Sequence, residues 1–243
     1  MRALTFANRN RKELLRDPIS LAFLIGFPIV LMLLLSAIEK NIPNSLFAID
    51  HLAPGITIFG LSFVTLFSAT IISKDRSSCF IQRLYTTPMT AFDFIIGYTL
   101  PLLPIAMMQC IVCYLVAIPL GLTVSVNLLY AILLLIPVSM IYIAMGLLFG
   151  SILNDKQVGG VCGGLLTNLS AWLSGIWFDL ALVGGFFQTV AKVLPFMHAV
   201  ELERAALQGD LLGAIPHLLW VVGYAIVLMP IAILLFLRQM KKQ

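Results

Sequence analysis

Three groupings of residues have types and spacing that could support chemistry. Cys110 and Cys113 match the spacing of a redox or metal-binding thiol pair. Cys110-Ile111-Val112-Cys113 lies inside a long apolar segment with no flanking histidines, so it reads as two small packing residues one helical turn apart. His198 and Glu201 would share a helix face, as Glu203 would not, and two ligands are too few for a zinc site. Ser174-Gly175 has no histidine or lysine in the cores of the apolar segments to activate it as a nucleophile, His217 lying near the end of the last one. A G-x-x-x-x-G-K-[ST] phosphate loop is missing, so the chain does not bind and split a nucleotide in the usual way. The expectation is a chain with no catalytic residues, no metal and no cofactor of its own. Any uphill work would draw its energy from a partner.

The elements that position these residues follow from composition. Of 243 residues, 60% are hydrophobic and 11% charged, and the mean hydropathy is +1.04. Soluble domains carry about 25% charged residues, and so few charges cannot cover this much apolar surface in water. A cytosolic enzyme, a nucleic-acid-binding module and a disordered chain are excluded. Lipid is the main solvent.

Crossing about 30 Å of hydrocarbon takes about 20 apolar residues in a helix. Six uncharged runs qualify: Ile19 to Ile38, Pro54 to Ser73, Phe94 to Pro119, Val126 to Leu153, Val158 to Phe178 and Gly213 to Leu237. Prolines in the long third and fourth runs predict tilt or kinks. Leu180 to Val190 is too short to cross and reads as re-entrant or interfacial. The spans predict a single domain over 1–243: an interfacial helix over 1–18, spans 1–5 over 19–178, an external segment over 179–212, then span 6 and a tail over 213–243. With six spans, 12 of the 15 basic residues fall on one side, and only Lys40, Lys192 and Arg204 on the other. The positive-inside rule then puts both termini in the cytoplasm.

Within this frame several segments invite a role. Between spans 2 and 3, Phe80 with Leu84 and Ile81 with Tyr85 sit at i, i+4 and would form one apolar face of a short helix, ended by Pro88, with a new helix starting near Thr90. That face suits either lipid headgroups or a cytoplasmic partner. In the first segment Ala3, Leu4, Ala7, Leu14 and Leu15 fall on one arc and Arg2, Arg9, Lys12 and Arg16 elsewhere, which predicts a membrane-surface helix. Span 5 holds two overlapping G-x-x-x-G pairs, Gly159 with Gly163 and Gly160 with Gly164, which let helix backbones approach within one protomer or across a dimer. Thr167, Asn168 and Ser170 serve interhelical hydrogen bonds or line a translocation path. In the external segment Gly184-Gly185 break an apolar run, and Pro195 precedes a helix bearing Glu201, Glu203 and Arg204.

The order of these motifs resembles the ABC-2 type transporter permeases. The resemblance rests on Lys74-Asp75-Arg76, then Gln82-Arg83-Leu84-Tyr85-Thr86-Thr87-Pro88-Met89, and Ile96-Gly97 opening span 3. It extends to Arg16-Asp17-Pro18 with Pro28, to Pro54-Gly55, and to Leu194-Pro195, Glu203-Arg204 and Gly209. It covers nearly the whole chain. Asp75 stands where the family usually has Glu, and Ser78 or Cys79 where it usually has Gly.

The resemblance implies an all-α membrane protein of six transmembrane helices, with an N-terminal interfacial helix, a cytoplasmic coupling helix and external re-entrant helices. It implies a permease subunit of an ATP-binding cassette exporter in the cell (inner) membrane, paired as a homodimer or with a related permease. Separate cytoplasmic ATPase subunits, carrying the ATP and Mg, would drive it. Coupling would fall on Asp75, Arg76, Phe80, Arg83, Leu84, Thr87 and Pro88. Gly159, Gly160, Gly163 and Gly164 would lie at the dimer centre, bordering a path past Thr167, Asn168 and Ser170. Gly184, Gly185, Pro195, Glu203 and Arg204 would form the external gate. Uncharged spans with Phe, Met, Ser and Thr suit an apolar or amphipathic cargo such as a drug, a lipid or a lipid-linked glycan. The alternative is a passive channel or a scaffold for a cytoplasmic protein.

Overall fold

A computed structural model describes residues 2–41, 47–78 and 90–240. These residues form helices and the turns between them. In chain order they are α1 (Arg2–Leu15), α2 (Pro18–Asn41), α3 (Ile49–Ser77), α4 (Ala91–Ala117), a 3-10 turn (Ile118–Leu120), α5 (Val126–Ile152), α6 (Asp155–Val158), a π-helical stretch (Gly159–Leu166), α7 (Thr167–Trp172), α8 (Leu180–Val183), α9 (Gly185–Val193), α10 (Pro195–Gln208) and α11 (Leu211–Met240).

Five of these, α2, α3, α4, α5 and α11, are long and apolar enough to cross a membrane. The sequence predicts six. The difference lies in the fifth predicted span, which is built as α6, the π stretch and α7 in direct succession, with turns from Leu173 onward. Four of the eight residues from Gly159 to Leu166 are glycine, and glycine disfavours a regular α-helix by about 1 kcal/mol each. The i→i+5 pattern takes over there, and Thr167 Oγ1 donates to the carbonyl of Cys162, five residues back, at 2.8 Å.

α3 is the central element. Of its most apolar 18-residue window 83% is buried, against 28% for α2 and 11% for α11. Gly146 and Gly150 of α5 let that helix lie close on α3: a Cβ at Gly146 would stand 2.3 Å from that of Ser68, and one at Gly150 would stand 2.8 Å from the carbonyl of Ala69. Prolines Pro101, Pro104 and Pro137 sit inside α4 and α5 without ending them. Thr90 caps α4 in a reciprocal pair with Asp93, where the sequence predicts the helix start.

α1 has a second, inward face. Phe6, Ala7 and Asn10 are its buried residues, while Leu4 and Leu15 are exposed. Phe6 meets Phe94 and Tyr98 edge-on, at ring centroid distances of 5.6 and 5.0 Å. Gly97 makes the contact possible, because a Cβ there would stand 2.1 Å from Phe6 Cδ1. α1 is therefore docked on α4, and Leu4 and Leu15 face away from it.

Candidate functional site

Two groups of buried polar side chains stand at opposite ends of the bundle. At the first end, the side chain of Asp75, on the last turns of α3, is 2% exposed. Its carboxylate receives Arg9 Nη1 at 2.7 Å and Nη2 at 2.8 Å, and Tyr98 Oη at 2.9 Å. A bidentate guanidinium with a further donor satisfies both oxygens of the buried carboxylate. Burial alone would lower the pKa of Arg9, but the hydrogen bond and charge of Asp75 outweigh it and raise it above the ordinary value. Arg9 also pairs with Glu13 at 2.5 Å, and Asn10 Nδ2 donates to the carbonyl of Gly97 at 2.9 Å. One network thus ties α1, α3 and α4.

The neighbouring Arg76 points to the other side. Its Nη1 donates to the carbonyls of Gly150 at 2.8 Å and Leu153 at 3.2 Å, at the C-terminus of α5. A cation there meets carbonyls without helical partners and the negative end of the helix dipole. Asp75 and Arg76, predicted together as coupling residues, fasten the end of α3 to α1 and α4 on one side and to α5 on the other. Phe80, Arg83, Leu84, Thr87 and Pro88 lie outside the described residues.

At the opposite end, α10 supplies the polar groups. Glu203 is fully buried, and its Oε2 accepts from Tyr114 Oη at 2.8 Å. Its Oε1 has no partner among the described residues. Burial pushes the carboxyl well above the usual range, and the Tyr114 hydrogen bond offsets this only partly. The Glu203 side chain reaches into the bundle against α4. Arg204, 7% exposed, pairs with Glu201 at 2.8 Å and donates to the carbonyl of Gly175 at 3.2 Å and that of His51 at 3.4 Å. His198 Nδ1 lies 2.9 Å from His217 Nδ1, and the His198 ring stacks on Trp220 at 4.9 Å. A pocket of about 420 Å³ opens here, with His51, Asp179, Gln188, Glu201, Arg204 and His217 in its wall. Gly184 and Gly185 adopt positive φ, 61° and 56°, and so turn the chain between α8 and α9. Pro195 takes the first helical position of α10.

The glycines between α6 and α7 divide. Gly163 faces Leu66, 3.3 Å from where its Cβ would stand, whereas Gly159, Gly160 and Gly164 have nothing within 4 Å. Thr167 and Ser170 are buried and donate to carbonyls of their own helical run. Asn168 is exposed beside Gly164 and donates to its carbonyl at 2.8 Å. Among the described residues, Gly163 is thus the one of the four whose Cβ position meets a neighbour.

Sequence reasoning missed Arg9, Asn10 and Tyr98 as partners of Asp75, and Tyr114 as partner of Glu203. Gly97, within the resemblance, was the available signal for the first group. Gln109 was missed as well. It is fully buried in α4, with Nε2 3.2 Å from Cys113 Sγ, and Gly60 leaves the space it fills. Cys110 and Cys113 are likewise fully buried.

No curated protein matches the chain. The family model of the ABC-2 type transporter matches residues 2–207, which takes in α1, the ties at the end of α3 and the Tyr114–Glu203 pair. The chain is a multi-pass membrane protein and belongs to the ABC-2 type transporter family.

Proposed function

We propose that the chain is the permease subunit of an ATP-binding cassette exporter, driven by separate ATPase subunits and moving an apolar or amphipathic cargo out of the cytoplasm. The observation that carries this reading is the pair of ties at the end of α3. The 74–90 connection starts at a point where Asp75 holds α1 and α4 and Arg76 holds α5. A push on that connection would move the bundle as a body, as alternating access requires. Asp75 and Arg76 would act by positioning these helices, leaving contact with the ATPase to Phe80, Arg83, Leu84, Thr87 and Pro88.

Six crossings fit the contacts between ends. The run from Asp155 begins beside Leu153, held by Arg76, and leads to Gly175, held by Arg204 at the other end. The alternation supports both termini on the cytoplasmic side of the cell membrane. The open face of Gly159, Gly160 and Gly164 favours a second permease protomer there, with Thr167, Asn168 and Ser170 near the path. Gly184, Gly185, Pro195, Glu203 and Arg204 would then shape the external gate. Purification from the native membrane tests the reading: an ATPase subunit should accompany the chain and support ATP-dependent transport in vesicles. Failure of every co-purified or co-encoded ATPase to do so would overturn it.

A further inference from the structure

A second pocket, of about 270 Å³, lies between α1, α2, α3 and α4, beside the tie of Arg9 and Asp75. Small-molecule sites start at roughly 300 Å³, so its volume suits a headgroup and the first carbons of a chain. Leu21, Val64 and Phe67 give it an apolar wall, and Arg16 and Lys74 stand at its polar side with Glu13 and Asp17. The two acids are already engaged. Glu13 pairs with Arg9. Asp17 accepts from the Ser20 amide at 3.1 Å and the Ser20 hydroxyl at 2.6 Å, and these bonds hold its carboxyl below the usual range. Arg16 and Lys74 make no side-chain hydrogen bond or ion pair with any described residue. Two cations without a direct side-chain partner among the described residues, Lys74 feeling only the charge of Asp17, therefore overlook an apolar cavity. The pocket also sits where amphipathic α1 gives way to the apolar span α2, the depth at which lipid headgroups meet hydrocarbon. Cations alone would attract any anion, and the wall beneath them selects one that carries a chain.

We propose that this pocket binds the phosphate-bearing head of an anionic amphiphile from the adjacent leaflet, with Arg16 and Lys74 on the phosphate and the start of its chain against Leu21, Val64 and Phe67. The site needs the chain's place in a membrane and is independent of ATP-driven export. The test is a titration of the full-length chain, in a neutral maltoside detergent, with dioctanoyl phosphatidylglycerol, dioctanoyl phosphatidylcholine and inorganic phosphate, read by native mass spectrometry. Phosphatidylglycerol should bind saturably, one per chain, and more tightly than phosphatidylcholine. Each basic residue near a membrane surface contributes enough that Lys74→Gln should weaken binding about fivefold, and Arg16→Gln with Lys74→Gln about 30-fold. Leu21→Trp, which fills the cavity without touching a charge, should weaken it as well. All variants should melt at the wild-type temperature. Unchanged affinity in both the double variant and Leu21→Trp would overturn the site. Phosphatidylcholine binding as tightly would overturn the anionic preference, and inorganic phosphate competing as well as the lipid would overturn the amphiphile as its source.

Discussion

Tyr114 on α4 and Glu203 on α10 share a 2.8 Å hydrogen bond that places a carboxyl from the segment between α7 and α11 inside the bundle. Burial raises the carboxyl's pKa, so the folded chain keeps the proton at pH values where the unfolded chain has lost it. The contribution of Glu203 to stability is complete below the ordinary value of 4.5 and declines as pH rises from there toward the raised value. The melting temperature in detergent should fall over that window, and Glu203→Gln should flatten the fall. Tyr114→Phe leaves the acid without a donor and should cost about 1–3 kcal/mol. An unchanged pH slope in Glu203→Gln would remove this role.

The tie between Arg9 and Asp75 predicts strong coupling. Breaking a buried ion pair by removing one partner costs about 3–5 kcal/mol, and Asp75→Asn should approach the lower figure because Tyr98 keeps an acceptor. Arg9→Gln with Asp75→Asn should cost less than the sum of the single changes. Additive melting shifts across the four proteins would show that the pair does not act as a unit.

Gly97 and Phe6 should behave as one position. Gly97→Ala forces the Phe6 ring to move, at a cost of about 1–3 kcal/mol. Phe6→Leu, itself destabilising, should make Gly97→Ala nearly neutral. Thermal melts of the two single variants and the double variant decide the matter, and equal cost of Gly97→Ala in either background counts against it.

The sequence and the structure agree best where one element decides the outcome alone. Five of the six predicted spans, the start of α4 at Thr90 and the turn at Gly184-Gly185 follow from local hydropathy, capping and glycine geometry. The polar ties did not, because Arg9 and Asp75 lie 66 residues apart and Tyr114 and Glu203 lie 89 apart. Arg9 reads as one of many topology charges until its partner is seen. The inner face of α1 was hidden for a related reason. Phe6 finds its place in a gap made by Gly97, a glycine on another helix.

Gly160 and Gly164 separate fold from assembly. A Cβ added at either would meet no described residue within 4 Å, so alanine at either should leave monomer stability unchanged or raise it by about 0.4–1 kcal/mol. Gly164→Trp should leave the melt intact yet lower the fraction cross-linked as a dimer in membranes. An undiminished dimer would place the protomer contact elsewhere.

The proposed coupling role of Phe80 and Leu84 can be tested apart from folding. A charge in an apolar docking face is costly, so Phe80→Asp or Leu84→Asp should leave ATP hydrolysis by the partner running while transport falls at least about tenfold, a loss of some 1.4 kcal/mol of coupling. Normal transport in both variants would clear these positions of the role.

The π-helical stretch gives the run from Asp155 to Trp172 a degree of freedom that a regular helix lacks. Each residue of an α-helix turns the chain by about 100°, and a π pattern accommodates extra residues within the helix. If the stretch tightened to α geometry by one residue, everything beyond it would rotate by about that angle, while Lys156 stayed where Arg76 and the end of α5 hold the chain. Asn168 and Trp172 would sweep from one surface to another, so that a screw motion at the Trp172 end needs no movement of the Asp155 end.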